Sequence, residues 1–183
     1  ILTGAALIRE REHGTIEHLL VMPLKPVEIM LAKVWSMGLV VWVATALALL
    51  LVLRGALAMP VTGSTALFMA GCALHLFATT SMGIFLATVA RSMPQFGMLL
   101  VLTLVPLQLL SGGVTPRESM PEFVQQVMLA APTTHFVTAA QAVLYRGAGL
   151  DMVWPQLLAI LVIGGVLFTA ALARFRKTIS QMA

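Results

Sequence analysis

Residues 34–53, between Lys33 and Arg54, form a run of 20 residues without a single charge. At about 1.5 Å per residue, a helix of that length crosses a hydrocarbon core about 30 Å thick. In water such a helix would have to be buried on every side. A chain of 183 residues that is 60% hydrophobic and only 10% charged has too little polar surface to bury several such helices in water. The pattern recurs, and spans are predicted over 26–53, 64–90, 94–110 and 152–173. Pro26 suits a first helical position, and Glu28 favours the positive helix end. Met59-Pro60 and Gly63 separate the first two spans, and Arg91-Ser92 ends the second. Pro94 opens the third, Pro106 lies inside it as a kink, and Ser111-Gly112-Gly113 closes it. The predicted class is an all-α polytopic membrane protein, a single transmembrane domain over 1–183.

The opening residues 1–8 are apolar and too short to span, and read as the last two turns of a helix whose beginning is missing. Cys72 is the only cysteine and lies in an apolar run, so the sequence offers neither a disulfide frame nor a thiolate metal site. The net charge of +4 is divided among loops, which points to membrane orientation rather than nucleic-acid binding. With 9–33 in the cytoplasm, four crossings return the C-terminus to the same side. That side then holds Arg9, Arg11, Lys25, Lys33, Arg91, Arg174, Arg176 and Lys177, and the outside holds Arg54, Arg117 and Arg146. This is the bias the positive-inside rule expects.

Segment 112–151 departs from a span-and-loop scheme. Residues 120–130 and 134–145 read as two short amphipathic helices separated by Ala131-Pro132. Each is too short to cross, so they are expected at the outer interface, or dipping in and returning against the spans.

The densest charge lies in 9–24. Thr15 can cap a short helix there, Glu17 sits near its positive end, and Pro23 stops it. Ile16, Leu19 and Leu20 fall at i, i+3 and i+4 and make one apolar face. A helix of about two turns is not stable alone, so this face needs a surface, either the protein's own helix ends or a partner.

Glu10-x-x-x-Gly14-Thr15-x-Glu17-x-Leu19-Leu20-x-x-Pro23, followed by Pro26-x-Glu28-x-x-x-x-Lys33, resembles the signature of ABC-2 type transporter permeases. Ser111-Gly112, Pro116, Met120-Pro121, Pro132-Thr133-x-x-Phe136 and Tyr145-Arg146-Gly147 are similar to that family's outer re-entrant helices. The two matches come in the family's order and cover nearly the whole chain. The resemblance implies six spans per permease, so 1–8 is expected to be the end of the second and the chain the C-terminal part of a longer protein, unable to transport alone. It also implies that 9–24 is the cytoplasmic coupling helix, docking on a nucleotide-binding ATPase through Glu10, Glu12, Gly14, Thr15, Ile16, Glu17, Leu19, Leu20 and Pro23. It implies an outer gate around Ser111, Gly112, Pro121, Pro132 and Tyr145.

Exposed ion pairs contribute at most about 1 kcal/mol, so docking energy is expected from Ile16, Leu19 and Leu20, and register from the charges. His75, Thr79 and Gly83, with Gly71 and Ala87, make a slowly turning stripe at spacings of four that suits close helix packing or a pathway. His75 is read as a neutral histidine hydrogen-bonded to a neighbouring helix, ahead of a proton relay or substrate ligand. Met37, Met69, Met82, Met93 and Met98 read as lipid-facing filler before an adaptable lining, and Gln95, Gln108 and Gln141 as polar groups satisfied by water. No catalytic set emerges: Ser111 lacks a Gly-x-Ser-x-Gly turn, no acid is evidently placed to orient His135, and no phosphate loop is present.

The expected function is that of the membrane-spanning permease subunit of an ATP-driven exporter in a bacterial inner membrane. The resemblance implies that two permeases pair with two ATPases, which bind ATP and magnesium. The alternative is a non-transport membrane anchor or regulatory subunit.

Overall fold

Pro26 opens the first described helix, α1 (Pro26–Leu47), in a computed structural model of the protein. The structure describes Gly4, Ala5, Ile8 and residues 26–56 and 62–180, without side chains at 26, 29, 33, 53, 54, 56 and 177–180. The α-helix expected to 53 stops at Leu47, and Ala48–Ala56 continues it as a π-helix. Leu50, Leu51 and Val52 are exposed there, and nothing packed on them explains the change.

Ser64 caps α2 (Thr65–Val89) by accepting the Leu67 N–H. The helix closes at Ala90, and α3 (Met93–Leu110) follows within three residues. Gln95 Oε1 accepts the Arg91 N–H at 2.7 Å, so this glutamine holds the turn rather than waiting on water. α4 (Glu122–Met128) is shorter than the predicted 120–130 and is preceded by a single 3₁₀ turn, Arg117–Ser119. α5 (Pro132–Arg146) is slightly longer than expected, because Pro132 itself fits the first helical position. The two meet at a bend of 93°. α6 (Leu150–Ser180) runs past the predicted end at 173 and absorbs the basic tail. Cations favour the negative helix end, and Phe175 is buried while the Arg174 guanidinium stands 5.9 Å from the Phe85 ring, so the extension has contacts to hold it.

Among the described residues, four helices are long and apolar enough to cross a membrane: Met30–Val52, Thr65–Val89, Met93–Leu110 and Leu150–Arg176. No strand occurs among the described residues. Lipid tails are as apolar as leucine, so close packing and internal hydrogen bonds must hold such helices together. α2 and α6 lie side by side and parallel, since Gly71 meets Leu157 and, further along both helices, Ala78 meets Gly164. A Cβ on Gly164 would stand 3.0 Å from Ala78 Cβ and 3.1 Å from its Cα, so glycine permits the approach. Trp42 of α1 donates its indole N–H to the Met69 carbonyl of α2 at 2.9 Å, giving that donor a partner where no water is available.

Two core clusters mark the ends of the bundle. At one end Ile8, Met30 and Val34 join Ile84, Ala87, Ala90, Phe96, Ala171 and Phe175. At the other, Ala139, Val143, Ala148 and Val153 pack with Leu67 and Phe68. Arg91, Arg174 and Arg176 therefore lie at the first end and Arg117 and Arg146 at the second, the grouping the charge pattern predicted. Met69 and Met82 are buried, unlike the lipid-facing filler expected, whereas Met98 is exposed.

Candidate functional site

The predicted coupling residues Glu10, Glu12, Gly14, Thr15, Ile16, Glu17, Leu19, Leu20 and Pro23 lie outside the described residues. Their flanks do not. Ile8 precedes the segment and is 2% exposed; Met30 follows it and is 1% exposed, and both sit in the same core cluster. Gly4 packs as closely: a Cβ there would stand 2.6 Å from the Gly83 carbonyl oxygen and 2.5 Å from Phe96.

The stripe on α2 does not face a single neighbour. At 3.6 residues per turn, each step of four advances about 40°, so the row winds across the helix surface. Gly71 meets Leu157 of α6. His75 faces α5, where its ring stacks on Phe136 with centroids 4.3 Å apart and planes 9° from parallel. Thr79 and Gly83 line a groove of about 390 Å³ that Gly38 of α1 and Leu100 and Gln108 of α3 also border. The hydrogen bond expected from His75 to another helix is replaced by this stack, and its Nδ1 is buried without a partner among the described residues. Thr79 likewise turns inward, donating to the His75 carbonyl of its own helix at 2.8 Å.

The stack measures how deep the α4–α5 pair reaches. His75 is the eleventh residue of α2, about 15 Å along it, and Pro132 lies about 6 Å beyond Phe136 on α5. The bend thus sits near the middle of α2, with Ala131, Pro132 and Thr134 buried around it. This is a dip into the bundle and a return, the second of the two arrangements expected for 112–151. Phe136→Leu removes the stack and is expected to cost about 1 kcal/mol beyond lost area. Hydrogen exchange across 132–146 would then quicken while 65–89 stays protected; unchanged exchange would show that the stack holds nothing.

Of the predicted gate residues, the structure brings Ser111 and Gly112 together at the mouth of this dip. They border a cavity of about 620 Å³ with Arg117, Gln125, Gln141 and Arg146. Ser111 is 2% exposed and donates to the Gln108 carbonyl, and Gly112 has φ +92°, a backbone conformation that disfavours other residues. Gln141 donates to the Gly112 carbonyl at 3.4 Å, so protein and not water satisfies that amide hydrogen. Pro121 is exposed at the start of α4, Pro132 is at the buried bend, and Tyr145 is 72% exposed; none of the three lines this cavity. The sequence reading missed Arg117, Gln125 and Arg146 as cavity residues, because residues distant along the chain meet there. It also missed the close approach of Gly164, for which the Gly164-Gly165 pair inside a span was an available signal.

Residues 1–145 match the ABC-2 type transporter family. Over all 183 residues the chain is 66% identical to the inner membrane transport permease YhhJ of Escherichia coli (strain K12), covering 49% of that protein. It is 31% identical over 179 residues, 98% of its length, to the probable multidrug ABC transporter permease YbhR of the same strain, covering 48% of that one. The similarity to the probable multidrug ABC transporter permease YbhS, also of that strain, is 28% over 153 residues, which is 80% of this chain and 39% of the relative. The chain spans about half the length of the curated relatives it matches.

Proposed function

The chain belongs to the ABC-2 type transporter family, and from that premise we propose that it forms the membrane-spanning, coupling half of an ATP-driven export permease. ATP and magnesium are bound by a separate ATPase subunit or domain, and two permeases pair to enclose the path. The first helix end, carrying Arg91, Arg174 and Arg176, faces the cytoplasm of a bacterium, and the C-terminus with it. The protein resides in the inner membrane, as the name of one relative states for that relative.

The observation that supports coupling best is the burial of both flanks of 9–24 in one core. Ile8 and Met30 pack with the end of α2, the start of α3 and the end of α6. Close-packed interiors transmit displacement instead of absorbing it, so a push on the segment between them reaches three spans. Closure of the ATPase dimer supplies that push, and the Thr79–Gly83 groove and the outer dip lie along the helices it moves.

The test uses the full-length permease with its ATPase in proteoliposomes. Candidate substrates, beginning with lipophilic drug cations, should raise ATP hydrolysis and leave the vesicle interior or membrane in an ATP-dependent way. Association with an ATPase that no substrate stimulates, and no movement of any compound, would assign the chain to a regulatory or anchoring role instead.

A further inference from the structure

The 620 Å³ cavity between the α3–α4 turn and α5 is lined by two arginines, Arg117 and Arg146. Neither Arg117 nor Arg146 has an ion-pair or side-chain hydrogen-bond partner among the described residues. The cavity's neutral donors are largely committed: Ser111 and Thr138 donate their hydroxyl protons to the Gln108 and Thr134 carbonyls, and Gln125 and Gln141 each donate an amide hydrogen to the Met120 and Gly112 carbonyls. The donors left for a ligand are one further amide hydrogen on each glutamine and the two arginine forks, whose planar geometry suits tetrahedral or planar oxyanions. Glu118 also borders the space, so the balance of the three charged groups is one positive charge.

Arg117 borders the Gly112 turn. Its stem lies against the turn, where a Cβ on Gly112 would stand 3.2 Å from Arg117 Cγ and 3.6 Å from Cδ. The volume is far larger than one water's share of about 30 Å³, so it admits a group the size of a headgroup and not merely a small ion. Its depth is marked by aromatic side chains. Tyr145, beside Arg146, is 72% exposed and Trp154 is 55%, the residue types of a membrane–water belt.

We propose that this cavity binds a phosphate-bearing anion between Arg117 and Arg146 at headgroup depth. The phosphodiester of an anionic lipid is the nearest source, and a soluble phosphoester is the other.

The test is native mass spectrometry of the full-length permease in neutral detergent, incubated with phosphatidylglycerol, with phosphatidylcholine, or with sn-glycerol 3-phosphate. Phosphatidylglycerol should be retained in preference to phosphatidylcholine. Arg117→Gln and Arg146→Gln should each weaken retention about fivefold, the effect of one basic residue near a headgroup. Glu118→Gln should strengthen it, an outcome that a misfolded variant does not produce. Retention of phosphatidylglycerol that glycerol phosphate does not displace identifies the lipid; direct binding or displacement by glycerol phosphate identifies a soluble ligand, and either supports the site. Equal retention of both lipids without glycerol phosphate binding, or retention indifferent to all three substitutions, overturns it.

Discussion

Gly63→Leu is expected to undock the re-entrant pair and destabilise the protein by about 3 kcal/mol or more, at the upper end of overpacking costs. The residue lies in the stretch between the first two predicted spans, yet it touches the far end of α5. A Cβ at 63 would stand 1.9 Å from the Val143 carbonyl oxygen and 2.8 Å from its carbon. Both are backbone atoms inside a helix, so no rotamer change relieves the contact and α5 must move as a body. Beside it Thr62 donates from its hydroxyl to the Leu144 carbonyl at 3.1 Å and from its N–H at 3.4 Å, and both bonds would be strained. The control is internal. A Cβ at Gly38, Gly97 or Gly165 meets nothing within 4 Å, so alanine there should be neutral, or stabilising by about 0.5–1 kcal/mol through helix propensity. Thermal unfolding of the full-length protein in detergent, followed by size exclusion, measures both. If Gly63→Leu melts with the Gly165→Ala variant, the packing of α5 on this turn is wrong.

Leu19→Glu is expected to abolish stimulation of the ATPase by the permease while leaving the permease folded. The proposed docking face is Ile16, Leu19 and Leu20, and burying one leucine contributes about 1.5–3 kcal/mol. Glutamate loses that contribution and adds the cost of desolvating a charge, so the loss in affinity exceeds about a hundredfold. Glu17→Arg, in contrast, changes an exposed pair worth at most about 1 kcal/mol and should lower affinity only a few-fold. The ratio carries the information. Pull-down of the ATPase and its permease-stimulated hydrolysis should both fall much further with Leu19→Glu than with Glu17→Arg. Equal losses would mean that charge and not the apolar face drives docking, and no loss in either would remove the coupling assignment for 9–24.

Much of the architecture was legible because membrane spans are written in single-residue chemistry. An uncharged run of about 20 residues has one favourable solution in lipid, the helix, since every backbone group must be satisfied within the segment. Breakers such as Arg91-Ser92 and Ser111-Gly112-Gly113 then placed the ends of α2 and α3 within a residue or so. The length of α6 was misjudged at its basic end for a physical reason. Charges end a hydrophobic run but not a helix, and here the negative helix end and the buried Phe175 favour continuing.

Side-chain partners were far less legible. The α2 stripe was legible as a slowly turning row, but not the surfaces it meets, and its 40° drift per step spreads it over α6, α5 and the Thr79–Gly83 groove. His75 was expected to find a hydrogen bond and found a ring, because Phe136 arrives there only when α5 folds back into the bundle.

By itself, the order of residues determined the class, the four long helices, the two ends of the bundle and the family, all of which depend on local hydrophobicity, breakers and motif spacing. Tertiary structure alone decided how deep the dip reaches, that Gly63 and Gly164 sit at close contacts, and that Arg117 and Arg146 share one cavity. Those facts depend on which surfaces meet across the bundle. Packing between apolar helices in lipid has no strong sequence code, since lipid and leucine are nearly equivalent neighbours.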